Sequence, residues 1–192
     1  MNQPNLSFSA RFDQLADGRS DRLAIREQRL DWRYTDVDAR SSAVTDALLE
    51  LGVRSGHAVA LMAPNTGAFV SSFLGIARAG GVVAPFNVRY QQQELVYYLR
   101  DTRAAAIIVA SELVPVVADA LATLKDPPSL LAIEADGSCN VVRPRTGDAE
   151  AIATWGSADS DSSEATPLLL QYTSGSTGAP KRIIRTNRML AD

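Results

Sequence analysis

The sequence predicts an α/β fold, mainly a parallel sheet with helices on both faces, and three observations predict it. Short runs that are apolar throughout, such as residues 58–63 and 105–110, alternate with stretches whose apolar residues recur at helical spacing. Strands without a polar face must be covered on both sides, as they are in sheets built from strand–helix–strand units. Turn and capping residues punctuate the alternation at Gly52, at Gly80-Gly81 and at Ser111.

Taken in order, residues 23–34 hold two short extended runs around Glu27-Gln28-Arg29, after which Thr35-Asp36-Val37-Asp38 resembles a capping box that opens a helix. Val37, Val44, Leu48 and Leu51 share one face of that helix, which is expected to run to Leu51 before Gly52 ends it. Residues 58–63 form the next strand. Pro64-Asn65-Thr66-Gly67 supplies a turn, and Phe69, Val70, Phe73, Leu74 and Ala77 predict the apolar stripe of a helix ending at Gly80-Gly81. A strand at 82–85, a helix at 92–101 with Leu95, Tyr98 and Leu99 inward, and a strand at 105–110 repeat the pattern. Ser111 is placed to cap a further helix on which Leu113, Val116, Val117, Ala120, Leu121 and Leu124 keep the period, and Pro115 is compatible with it in the first turn. A strand at 130–133 follows. Residues 135–166, rich in Asp, Ser, Gly and Glu, read as an irregular surface connection, and apolar character returns at 167–172 and again at Ile183-Ile184.

Composition narrows the function classes. The 192 residues, 46% of them hydrophobic, suffice for one domain with a sizeable core. A net charge of -3 opposes non-specific binding to nucleic acid, and no nucleic-acid partner is expected. The charge is uneven, however: from Ala165 onward Lys181, Arg182, Arg185 and Arg188 face one acid, Asp192, so this end suits an anionic ligand. The longest uncharged stretch, 55–77, is broken by the turn at 64–67, which argues against a membrane span. The one cysteine, Cys139, has no partner for an intramolecular disulfide, and a reducing cytoplasmic setting fits it. The one histidine, His57, stands at the edge of a strand without ligand-spaced partners; a structural role is expected, and no metal site is assigned.

The residues that point to chemistry are Thr173-Ser174-Gly175-Ser176-Thr177-Gly178, directly after a strand, with Lys181 three residues beyond. Glycines let backbone amides approach an anion and adopt positive φ, hydroxyls donate to phosphate oxygens, and a lysine adds a full charge. By composition alone the string is equally compatible with an ordinary Gly/Ser surface loop. It is not the common ATPase phosphate loop, because Lys181 lies between Pro180 and Arg182 rather than in Gly-Lys-Ser/Thr, and no G-x-G-x-x-G follows a strand.

Residues 172–181, YTSGSTGAPK, resemble the signature phosphate loop of the adenylate-forming superfamily, which includes acyl-CoA synthetases, aryl-acid ligases and peptide-synthetase adenylation domains. Two earlier stretches resemble that family in the same order: residues 30–37, its strand-to-helix entry, and residues 77–87, its K/R-x-G-G-hydrophobic-x-P segment. The resemblance runs from about residue 12 to 189 and corresponds to the amino-terminal part of the AMP-binding domain. Residues 1–192 are therefore expected to lack the carboxy-terminal domain, with the remainder of the enzyme supplied by a continued or a second chain.

The resemblance implies a ligase that joins a carboxylic acid to ATP with Mg²⁺, forming an acyl-adenylate and pyrophosphate, and then passes the acyl group to the thiol of CoA or an acyl carrier protein. It implies phosphate contacts from Thr173, Ser174, Gly175, Ser176, Thr177, Gly178 and Lys181, with Lys181 also the catalytic candidate, and an isolated chain that is inactive. Arg182 and Asn187 depart from the family pattern, which has glycine after the lysine and Thr-His after the following strand. The run around Lys181, Ile183, Arg185 and Thr186 resembles aryl-acid-activating members, or reflects strand variation alone. The alternative function is a catalytically inactive nucleotide-binding or regulatory module derived from such an enzyme; a small nucleotide hydrolase is a third.

Overall fold

The computed structural model describes residues 7–28, 30–145, 152–155, 165–173 and 180–190. Among these, a seven-stranded mixed sheet has the order β7-β6-β5-β3-β4-β8-β9, beside a separate two-stranded ribbon of β1 (Leu23–Arg26) and β2 (Asp31–Arg33). Five neighbours, β6 (Ser129–Ile133), β5 (Ala106–Ala110), β3 (Ala58–Met62), β4 (Val82–Pro85) and β8 (Pro167–Thr173), run parallel. The two edges, β7 (Cys139–Arg143) and β9 (Lys181–Thr186), are antiparallel. The α/β fold with a mainly parallel sheet is as expected.

Helices cover both faces. Helices α1 (Phe8–Ala16), α2 (Tyr34–Glu50) and α3 (Gly67–Arg78) pack on one face against Val59, Leu61, Val83, Ile108, Leu131 and Leu169. Helices α4 (Gln92–Thr102) and α5 (Val114–Leu121) pack on the other against Ala60, Met62, Ala84, Ile107, Val109 and Leu170. The alternation along each strand divides the core in two, and every residue of β3, β5 and β6 is buried. The chain passes from β3 to β4 on one side and then returns across β3 to β5 on the other, so the strand order reverses between β3 and β5. Open α/β sheets bind ligands outside the carboxyl ends of their strands, and β8, parallel to β4, ends on that same side of the sheet.

Several elements differ from the sequence expectation for identifiable reasons. Helix α1 was not foreseen: Ser7 Oγ accepts from the Ala10 amide at 3.3 Å, and Phe8 meets Phe73 edge-on at 5.3 Å. Helix α2 starts at Tyr34, because Asp36 serves as its third residue and accepts from the Arg33 amide at 2.7 Å. Helix α3 buries Ala68, Ser71, Ser72, Leu74, Gly75 and Ile76, whereas Val70, expected inward, is 42% exposed. Squeezed between the sheet and α2, it needs small residues: a Cβ on Gly75 would stand 2.7 Å from Val44 and 2.8 Å from the Ser41 carbonyl. Ser111 begins a 3-10 turn, and its hydroxyl donates to the Ile133 carbonyl at 3.1 Å; α5 follows only at Val114. Strand β7 lies within the stretch expected to be irregular; Val141 and Val142, both largely exposed, gave it no two-fold pattern.

Candidate functional site

Strands β8 and β9 form an antiparallel hairpin on the carboxyl edge of the sheet, and their last pair is Thr173 with Lys181. Of the sequence-predicted phosphate contacts, these two are brought face to face across the ladder, and both side chains are exposed. Thr173 Oγ1 donates weakly to the Lys181 carbonyl, at 3.5 Å. Ser174, Gly175, Ser176, Thr177 and Gly178 lie outside the described residues.

One pair earlier stand Tyr172 and Arg182, on the face that α4 covers. The Tyr172 hydroxyl donates to Asp101 Oδ2 at 2.6 Å, and the Arg182 Nε stands 3.5 Å from the same oxygen. Burial, and then the Asp101 carboxylate, push the Tyr172 hydroxyl well above the usual phenol range, so it remains a donor. The ring of Tyr172 meets Tyr98 edge-on at 4.7 Å; Tyr98 stacks on Tyr90 at 4.7 Å, and both rings lie beside Phe86. This aromatic floor follows directly from the carboxyl end of β4. Sequence reasoning missed the floor together with Asp101 and Trp155; the adjacent Tyr97-Tyr98 pair and a lone tryptophan within a polar stretch were the available signals.

The family-like segment at 77–87 is structural where it is described. Arg78, 15% exposed, donates to Asp13 at 2.5 Å and Asp38 at 2.6 Å, and to the hydroxyls of Ser41 at 2.7 Å and Ser42 at 3.1 Å, tying α1, α2 and α3 together. Gly80, at φ +74°, then turns the chain into β4. A surface groove of about 730 Å³ lies among these helices with Asp13, Asp38, Thr45 and Arg78 on its walls; its one cation is already engaged. Asn187, flagged as a departure, is 93% buried: its Oδ1 accepts from the Phe8 amide at 2.9 Å, and its Nδ2 donates to the Thr166 carbonyl at 3.3 Å. His57 Nδ1 accepts from the Arg54 amide at 3.1 Å, and burial, then Arg54, hold its pKa below the ordinary value, so it is a neutral turn acceptor.

A family model described as AMP-binding enzyme matches residues 12–192. The chain belongs to this adenylate-forming family. It is 31% identical over 156 residues to the long-chain-fatty-acid–CoA ligase FadD13 of Mycobacterium tuberculosis, covering 80% of this chain and 29% of that one. It is 28% identical over 173 residues to the 4-hydroxybenzoate–CoA/benzoate–CoA ligase of Rhodopseudomonas palustris, covering 90% of this chain and 32% of that one. The chain thus spans about a third of the length of these relatives. Among solved structures, the amino-terminal domain of FACL13 from Mycobacterium tuberculosis superposes with a TM-score of 0.71 at 28% identity, over 94% of this chain and 44% of that one. The anthranilate CoA ligase AuaEII, solved with anthranoyl-AMP, shares the fold at a TM-score of 0.72 and 24% identity, over 97% of this chain and 35% of that one.

Among the described residues no three His, Cys, Asp or Glu side chains converge as metal ligands, and no helix is long and apolar enough to cross a membrane.

Proposed function

We propose that this chain supplies the pyrophosphate side of an ATP-dependent carboxylic acid ligase. In the reaction, a carboxylate oxygen attacks the α-phosphorus, the bond to the bridging oxygen breaks, and an acyl-adenylate and pyrophosphate form. A thiol of CoA or an acyl carrier protein then attacks the acyl carbon and expels AMP. Negative charge builds on the departing pyrophosphate, so fixed donors there lower the barrier. Thr173, Ser174, Ser176 and Thr177 provide hydroxyls, Gly175 and Gly178 permit close backbone approach, and Lys181 is the point charge.

The observation that carries this reading is the family match over residues 12–192, together with the pairing of Thr173 and Lys181 at the feet of the loop. The carboxylic acid, a Mg²⁺-bound ATP and the reducing cytoplasmic setting are parts of the same proposal, as is an isolated chain that is inactive without the rest of the enzyme. The test is ATP–pyrophosphate exchange by the longest gene product containing these residues, against a panel of fatty, aromatic and amino acids. Exchange with one acid class supports the ligase. Nucleotide binding without exchange across the whole panel would instead favour the inactive module.

A further inference from the structure

The loop-bearing hairpin is joined to α4 at one carboxylate. Tyr172 and Arg182 are direct cross-strand partners, so their side chains leave the sheet on the same face, and both reach Asp101 in the last turn of α4. The Arg182 guanidinium also lies 5.2 Å over the Trp155 ring, and Trp155 Nε1 donates to the carbonyl of Thr102, next to Asp101, at 3.1 Å. Tyr98, one turn earlier on α4, closes on the ring of Tyr172. The strand pair, the end of the helix and the segment at 152–155 thus converge on an acid whose side chain is 29% exposed.

An isolated surface ion pair would hold little, typically ~0.2–1 kcal/mol. Here one carboxylate receives a short hydrogen bond from a half-buried tyrosine and a cation that is itself stacked on an indole, so three contacts constrain one geometry. The next pair along the two strands is Thr173 with Lys181, one residue closer to the loop. Whatever fixes Tyr172 against Arg182 also fixes the spacing of those two side chains on the opposite face.

We infer that Asp101 is a positioning residue for nucleotide binding: by clasping Tyr172 and Arg182 to the end of α4, it holds Thr173 and Lys181 at the spacing that phosphate contacts require. The inference rests on the ligase reading above.

The test compares the enzyme containing this chain with its Asp101→Ala, Tyr172→Phe, Arg182→Ala, Arg182→Lys and Asp101→Ala/Arg182→Ala variants. Hydrogen–deuterium exchange reads the clasp directly. Asp101→Ala is expected to speed exchange about tenfold in peptides from β8 and β9 while those from β5 and β6 stay unchanged. In ATP–pyrophosphate exchange the same variant is expected to raise KM for ATP about five- to tenfold with kcat within about twofold, the pattern of lost binding rather than lost active protein. Tyr172→Phe should give a smaller rise, Arg182→Lys should retain most of the wild-type KM, and the double variant should be no worse than Asp101→Ala, because one unit is broken once. A structural role alone would lower kcat with the active fraction and leave KM unchanged. Wild-type deuterium uptake in the hairpin of Asp101→Ala, or a wild-type KM, overturns the inference. If the wild-type enzyme shows no exchange with any acid, the ligase reading fails separately; calorimetric titration with Mg²⁺-ATP then decides the positioning role, and equal affinity in wild type and Asp101→Ala overturns it.

Discussion

The centre and the edge of the sheet are held by different forces. In β3, β5 and β6 every residue is buried, and the strands are flanked by partners on both sides, so cohesion comes from aliphatic burial, about 1.5–3 kcal/mol for each Leu or Ile. In β9 five of six residues are exposed, and the strand depends on its ladder to β8 and on side chains from elsewhere. Those side chains are Asp101 on α4, Trp155 under the Arg182 guanidinium, Gln171 on β8, and Asn187, which anchors the strand's far end to α1. The residues proposed to meet phosphate therefore stand where burial contributes least. Their geometry depends on a few polar contacts whose loss should disturb positioning more than stability.

The contrast can be broken from the central side first. Leu61→Ala, in the middle of the buried β3, should cost about 3 kcal/mol and lower the urea midpoint with the m-value unchanged. A loss below about 1 kcal/mol would mean that burial is not what holds the centre. Gly75→Ala should cost about 1–3 kcal/mol in the same titration, because its methyl group would strike Val44 and the Ser41 carbonyl where α2 crosses α3. Asn187→Ala, which removes both side-chain bonds between β9, Thr166 and α1, should cost about 1–2 kcal/mol. Arg185→Ala, which removes an exposed bond to Gln171, should change stability by less than about 0.5 kcal/mol. If Arg185→Ala proved as costly as Leu61→Ala, the distinction between centre and edge would collapse.

The same division governs what was legible beforehand. The central strands and α2, α4 and α5 were readable because burial imposes a period: runs such as Ala106-Ile107-Ile108-Val109-Ala110 have no polar face, and Leu95 and Leu99 recur one helical turn apart. The stripe of α3 was misplaced because a helix packed on two sides buries Ser71, Ser72 and Gly75, which carry no hydrophobic signal. Strand β7 was missed because an edge strand with an exposed Val141-Val142 pair follows no alternation, and α1 because Phe8 and Phe12 are its chief apolar contacts. In the site, the loop was legible as a contiguous string, whereas the clasp was not. Asp101, Trp155, Tyr172 and Arg182 are scattered along the sequence, and only the sheet order brings them together.

The β8–β9 hairpin is proposed to present Lys181 to the phosphates of ATP in an acid-activating enzyme. The most direct test is ATP–pyrophosphate exchange by the enzyme containing this chain, wild type against Lys181→Ala, with urea titrations of both proteins alongside. Lys181 is exposed and makes no ion pair among the described residues, so a drop of about 100-fold in kcat/KM with an unchanged urea midpoint is expected. A Lys181→Ala enzyme that exchanges at the wild-type rate, or that loses activity only in proportion to lost stability, would contradict it.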